Sequence, residues 1–201
     1  MRRTATHRLA STLVALVAAV SFAGCAEDAG VAPDSFDELA RLGAVDGSAS
    51  LAYGRDVDLG SCTQLTPPAG SSLVVRMYAQ GVQIYRWNGT AWAFVAPEAS
   101  LSADPAGRST IGTHYAGPTW QSNGGGWIRA SVIDRCTPDV NSIQWLLLGV
   151  TAKDGPGILH RVTHVQRVNT SGGIAPTAPG GMTGQEARVP YTTEYLFWRA
   201  P

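Results

Sequence analysis

The chain has 201 residues, 15 basic and 15 acidic side chains, and a hydrophobic share of 44%. That is enough for one ordinary domain with its own core, and it excludes global disorder. The 12 basic groups beyond residue 24 are scattered and form no stripe, so nucleic acid is excluded as a partner.

Arg2, Arg3 and Arg8 give the chain a positive start. The apolar run Leu13-Val14-Ala15-Leu16-Val17-Ala18-Ala19-Val20 follows. It is too short for a stable membrane span and fits the core of a signal peptide over residues 1–24. The run leads into Ser21-Phe22-Ala23-Gly24-Cys25, which resembles the bacterial lipobox, with Phe22 where Leu is usual. The resemblance implies a diacylated Cys25 thiol, cleavage before it and acylation of the new amine. Two or three acyl chains anchor a protein where one would not. Ala26 rather than Asp follows the cysteine, which in Gram-negative lipoproteins favours the outer membrane. The expectation is an exported protein whose membrane contact is its N-terminal lipid. The alternative is an ordinary secretory signal cut at a nearby small residue.

Residues 25–48 read as an acidic tether. Eight acids against Arg41 and Arg55 occupy residues 26–58. The tether carries one expected short helix, with Ser35 and Glu38 as a capping box and Gly43 as its stop. Residues 49–201 form the expected folded domain.

From Leu51 onward the chain breaks into short β-rich runs. Strands are expected over Leu73 to Ala79, Ser109 to Tyr115, Trp127 to Ile133, Ile143 to Thr151, Leu159 to Val168 and Glu194 to Arg199. A hairpin joins Val82–Trp87 to Thr90–Val95 across Asn88-Gly89, a pair suited to a type I′ turn. A two-residue loop pairs Trp87 with Thr90, Tyr85 with Trp92 and Gln83 with Phe94. Tyr85, Trp87, Trp92 and Phe94 then share one face. Trp145-Leu146-Leu147-Leu148 does not alternate, as expected of a strand covered on both sides. With no long helical pattern between the strands, the fold class is all-β: a single antiparallel β-sandwich or barrel-like domain.

Several segments resemble the DUF3455 family of uncharacterised secreted bacterial and fungal proteins. They include Ala79-Gln80-Gly81-Val82-Gln83-Ile84-Tyr85, Trp92-Ala93-Phe94-Val95-Ala96-Pro97-Glu98-Ala99 and Gly112-Thr113-His114-Tyr115-Ala116-Gly117-Pro118-Thr119-Trp120. Others are Trp145-Leu146-Leu147-Leu148, Val165 to Gly173 and Val189-Pro190-Tyr191. The resemblance covers most of the domain and implies no activity. It implies a cysteine at the place of Trp87 and another in the late Gly/Pro-rich loop; this chain has neither.

Three histidines remain for chemistry. Glu98, Arg108 and His114 could converge on one rim, where a carboxylate would orient the imidazole and raise its pKa. Tyr115 and Trp120 add amphipathic rings, so these five residues form the candidate ligand site. The competing reading is a structural hydrogen bond between strand ends. His160 and His164 stand about 13 Å apart on a strand, too far to share a metal ion. No nucleophile motif, phosphate loop or cofactor signature appears. Cys62 and Cys136 are the thiols left after lipidation, and a disulfide between them is expected in an oxidising compartment. The sequence thus points to a lipid-anchored envelope protein acting as a binding or structural module. Its partners would be an envelope glycan or a small apolar ligand. The alternative is a hydrolase-type enzyme using His114 and Glu98.

Overall fold

Alternating runs punctuated by Gly, Pro and Asn become eight strands, each antiparallel to its sequence neighbour. The computed structural model describes residues 57–201, which fall within the compact unit Ser50–Pro201. The signal segment, Cys25 and the expected tether helix lie outside the described residues. The strands are β1 (Ser72–Trp87), β2 (Trp92–Ser102), β3 (Thr110–Tyr115), β4 (Thr119–Ser122), β5 (Trp127–Cys136), β6 (Trp145–Asp154), β7 (His164–Gly172) and β8 (Glu186–Arg199). β8 pairs back onto β1, so the sheet closes into a barrel and leaves no unpaired edge. The all-β expectation holds, in its barrel form.

Several local expectations change. The runs 73–79 and 82–87 are one strand, because Gly81 is a close approach rather than a turn. A Cβ there would lie 2.1 Å from the Glu98 carbonyl oxygen and 2.5 Å from the Ala99 Cα. The β1–β2 hairpin pairs Trp87 with Trp92 and Tyr85 with Phe94, leaving a four-residue loop over 88–91. The Asn88 side chain favours that loop: its Oδ1 accepts the Thr90 and Ala91 N–H groups at 2.9 and 2.8 Å. The slip of two residues preserves side-chain parity, so all four aromatic rings keep a common face. A bulge at Val95 then makes Pro97 the partner of Gln83. The expected strand from Leu159 instead begins with a 3-10 turn, Ile158–Arg161. His160 lies in that turn and His164 opens β7. The four-residue β4 is too short to show alternation and was not anticipated from sequence.

The up-and-down order places the β1–β2, β3–β4, β5–β6 and β7–β8 connections at one end and the other three at the opposite end. At the latter end Leu159 and Val162 fold inward and join the core with Ile128, Val165 and Phe197. This end is therefore sealed by close-packed apolar side chains.

A second, smaller cluster lies outside the wall. Cys62 and Leu65 are fully buried against Leu147, with Leu59 and Trp145 alongside. The Gln166 amide donates to the Leu65 carbonyl at 2.8 Å, and Cys62 is bonded to Cys136. The segment before β1 is thus a strap over β6, which explains the unbroken apolar run there. Leu146 and Leu148 pack in the inner core, while Leu147 packs under the strap.

Candidate ligand-binding site

Strand register fixes the inner face of the barrel. His114 on β3 stands opposite Trp120 on β4, and their rings stack with centroids 4.5 Å apart. Tyr195 on β8 meets both rings edge-on, at 5.1 and 5.2 Å. Arg167 on β7 is paired with Leu146 of β6 and Tyr195 of β8. Together with Gln83 of β1, these groups line a cavity of about 550 Å³ at the end opposite the sealed one.

His114 is 2% exposed, and its Nδ1 lies 2.8 Å from the Thr119 carbonyl oxygen. A carbonyl only accepts, so Nδ1 carries the hydrogen and Nε2 keeps a lone pair. Burial pushes the His114 pKa down to about 3, against the opposing Thr119 bond; the positive charge of Arg167 adds to the lowering. The ring is neutral at pH 7 and is a poor proton reservoir there. Burial likewise raises the pKa of Tyr85, Tyr191 and Tyr195. All three are neutral phenols, and Tyr85 donates to the Gly173 carbonyl at 2.7 Å.

The polar groups of the deep cavity are mostly donors. Arg167 gives Nε and Nη2 to the Gln144 carbonyl, at 3.0 and 2.8 Å. That occupies two of the five N–H groups of a guanidinium. The side-chain ion pairs among the described residues are Arg76–Glu194, Arg86–Glu186, Arg108–Asp104 and Arg188–Glu98, and Arg167 belongs to none of them. Among the described residues, no Asp or Glu lines the cavity. Trp120 Nε1, Gln83 Nε2 and the Tyr195 hydroxyl are buried with no hydrogen-bond partner among the described residues. The Tyr191 and Tyr195 hydroxyls are neighbours, but they do not meet in hydrogen-bonding geometry. Buried donors of this kind are ordinarily satisfied by water or a ligand.

The mouth has the opposite character. Phe94, Val95, Val132, Val140 and Ile174 line it and are all exposed. The Val95 bulge brings that residue to the rim, and the 137–144 connection carries Val140. Asp139 shapes this connection by accepting from the Ser142 hydroxyl at 2.7 Å and the Asn141 N–H at 2.9 Å. These two bonds hold the Asp139 carboxyl below its usual pKa, the Ser142 bond most strongly.

Of the residues expected from sequence, the barrel brings His114 and Trp120 together in this cavity. The others lie outside it, Glu98 and Tyr115 along one groove on the outer face of the wall. Ala99 is the partner of His114, so the preceding Glu98 faces outward, where it accepts from Arg188 at 2.8 Å. The wall stands between Glu98 and His114, and the pair needed for the hydrolase alternative is not assembled. Arg108 sits in the β2–β3 connection at the sealed end, bonded to Asp104. Tyr115 faces outward and donates to Gln121 at 3.0 Å. Sequence reading missed Gln83, Arg167 and Tyr195. A hint existed in Val165-Gln166-Arg167-Val168, two polar residues inside an apolar strand, but only the closed topology shows which of them points inward.

The other tryptophans serve the wall. Trp87 and Trp92 meet edge to face at 5.5 Å. Trp92 Nε1 donates to the Ala178 carbonyl at 2.8 Å, and the Gly184 N–H donates to the Trp87 carbonyl. A Cβ on Gly180 would lie 2.5 Å from the Trp87 Cγ. Where the family resemblance implies a cysteine, this chain packs an indole against the late loop. Arg129 lies over Trp127, 5.7 Å from its ring centroid.

An eight-stranded up-and-down barrel, sealed at one end and open at the other, is a β-barrel of the size whose interior can hold one small ligand. The chain belongs to the family described as Protein of unknown function (DUF3455), whose model matches residues 68–199. That span contains all eight strands. No curated protein and no solved structure matches the chain.

Proposed function

We propose that this is a lipid-anchored cell-envelope protein that binds one small, largely apolar molecule in the open end of its barrel. The observation that carries the reading is the cavity itself. About 550 Å³ lies within the range typical of small-molecule sites, and an apolar mouth over a few fixed polar groups is their usual composition. An envelope glycan is the weaker ligand. Trp87 and Trp92, the rings best placed at a turn for stacking on sugars, are covered by the late loop.

Titration of the full chain with the neutral fluorescent probe N-phenyl-1-naphthylamine tests the binding half. Saturable, blue-shifted emission is expected. Val132→Trp, which places an indole in the mouth, is expected to weaken it by about tenfold or more, equivalent to one lost apolar contact patch of roughly 1.4 kcal/mol. A probe signal that never saturates, or that ignores the plugged mouth, overturns the reading. The envelope half is tested separately. Cys25→Ser is expected to move the protein from the membrane fraction to the soluble one, because the acyl chains supply the anchoring. Continued membrane association of that variant would remove the lipid anchor from the proposal.

A further inference from the structure

We infer that the ligand carries a single compact negative charge, a carboxylate on an apolar body, seated head-down on Arg167. This rests on the cavity being a binding site and specifies what the site selects. Three observations converge. First, Arg167 is a permanent cation on the inner face, and among the described residues no carboxylate lines the cavity to neutralise it. Leaving a partly buried charge unpaired is costly, whereas a ligand anion would offset that cost and gain charge-assisted hydrogen bonds. Second, Gln83 Nε2, Trp120 Nε1 and the Tyr195 hydroxyl are buried with no partner in hydrogen-bonding geometry among the described residues, although Tyr191 stands beside Gln83 and Arg167 beside the Tyr195 hydroxyl; each can donate to a ligand. A donor-rich, acid-free pocket favours an acceptor-only head, which an ionised carboxylate is. Third, polarity is graded along the cavity. Gln83, Trp120 and Tyr195 are buried and Arg167 half-buried, while Phe94, Val95, Val132, Val140 and Ile174 are exposed at the mouth. An amphipathic molecule entering head first would place its chain against these side chains.

One cation surrounded by neutral donors sets the charge. A phosphate monoester approaches two negative charges at neutral pH and would leave one uncompensated in a partly buried site. A neutral alcohol would leave Arg167 unpaired. The ranking among matched ligands is therefore carboxylate, then phosphate ester or alcohol. His114 contributes an acceptor through its Nε2 lone pair. It stacks on Trp120 and positions that ring rather than binding the anion.

Displacement of N-phenyl-1-naphthylamine from the full chain by decanoate, decyl phosphate and decanol tests this at pH 7.5. Decanoate is expected to compete at a concentration about tenfold lower than decanol, the ratio expected for a charge-assisted bond. Arg167→Met is expected to erase that preference while retaining the neutral probe. Arg167→Lys is expected to keep part of it, since the charge survives without the planar fork. Equal displacement by decanoate and decanol in the unaltered protein would overturn the charge inference and leave the cavity reading standing. So would a stronger effect of decyl phosphate than of decanoate. Failure of the neutral probe to bind would remove the cavity reading, and the charge inference with it. Should Arg167→Met not fold, the decanoate-to-decanol ratio in the unaltered protein still decides the matter.

Discussion

Acidification from pH 6.5 towards 3 is expected to cost this protein stability that a His114→Gln variant keeps. In the unfolded chain His114 takes up a proton near its ordinary pKa of 6.5; in the barrel it resists until about pH 3. Between those values the unfolded state binds the extra proton, so folding stability falls as pH falls. Above pH 6.5 the ring is neutral in both states and the contribution is fully present. Below about 3 it protonates in both states and the loss levels off. Each pH unit in the window is worth on the order of 1 kcal/mol, so the whole is a few kcal/mol. The physical cause is the site of the imidazole, stacked on Trp120, edge-on to Tyr195 and close to the Arg167 charge. Urea midpoints at pH 7 and pH 4.5 for both proteins give the test. Carboxylates titrate in this range too, so the quantity to compare is the difference in pH slope. Parallel slopes would show that His114 does not titrate between these states.

Removing the Cys62–Cys136 bond is expected to have an effect of similar size. The expected pairing is present, with Cα atoms 5.7 Å apart, within the ordinary range for a disulfide. The bond spans a sequence separation of 74, and in the chain-entropy model a loop that long contributes about 4 kcal/mol. It also has a local consequence. The bond pins the strap that keeps Leu65 and Leu147 from water, and the Gln166 Nε2 donates to the carbonyl of Leu65 on the same strap. A Cys62→Ser, Cys136→Ser double variant is expected to unfold at lower guanidinium concentration, by an amount close to the effect of adding reductant to the unaltered protein. A midpoint indifferent to both would show that the strap's packing alone holds it in place.

How legible the fold was depended on which force determined each element. The strands that matched best, such as Thr110–Tyr115 and the start of β5 at Trp127, are bounded by Gly, Pro and Asn turns, and turn chemistry is local. The unbroken Trp145–Leu148 run identified a strand buried on both faces, because burial acts on composition directly. Errors came where a residue answered to a distant neighbour. Gly81 reads as a break between two strands until the β2 backbone is seen against it. The Asn88-Gly89 error is local instead: the pair suits a two-residue loop, but the Asn88 side chain accepts from Thr90 and Ala91 and closes a four-residue one.

The sequence by itself determined the all-β class, the pairing of the two cysteines and the family. Each depends on composition and local turn chemistry, on elimination among few thiols, or on motifs spread along the domain. Only the tertiary structure decided that the sheet closes, and closure assigns every side chain to the inside or the outside of a wall. It placed Glu98 outside with Arg188 and Arg167 inside without an acid. The two arginines look alike in the sequence. They differ because register, a property of paired strands and not of either strand alone, turns successive residues to opposite faces.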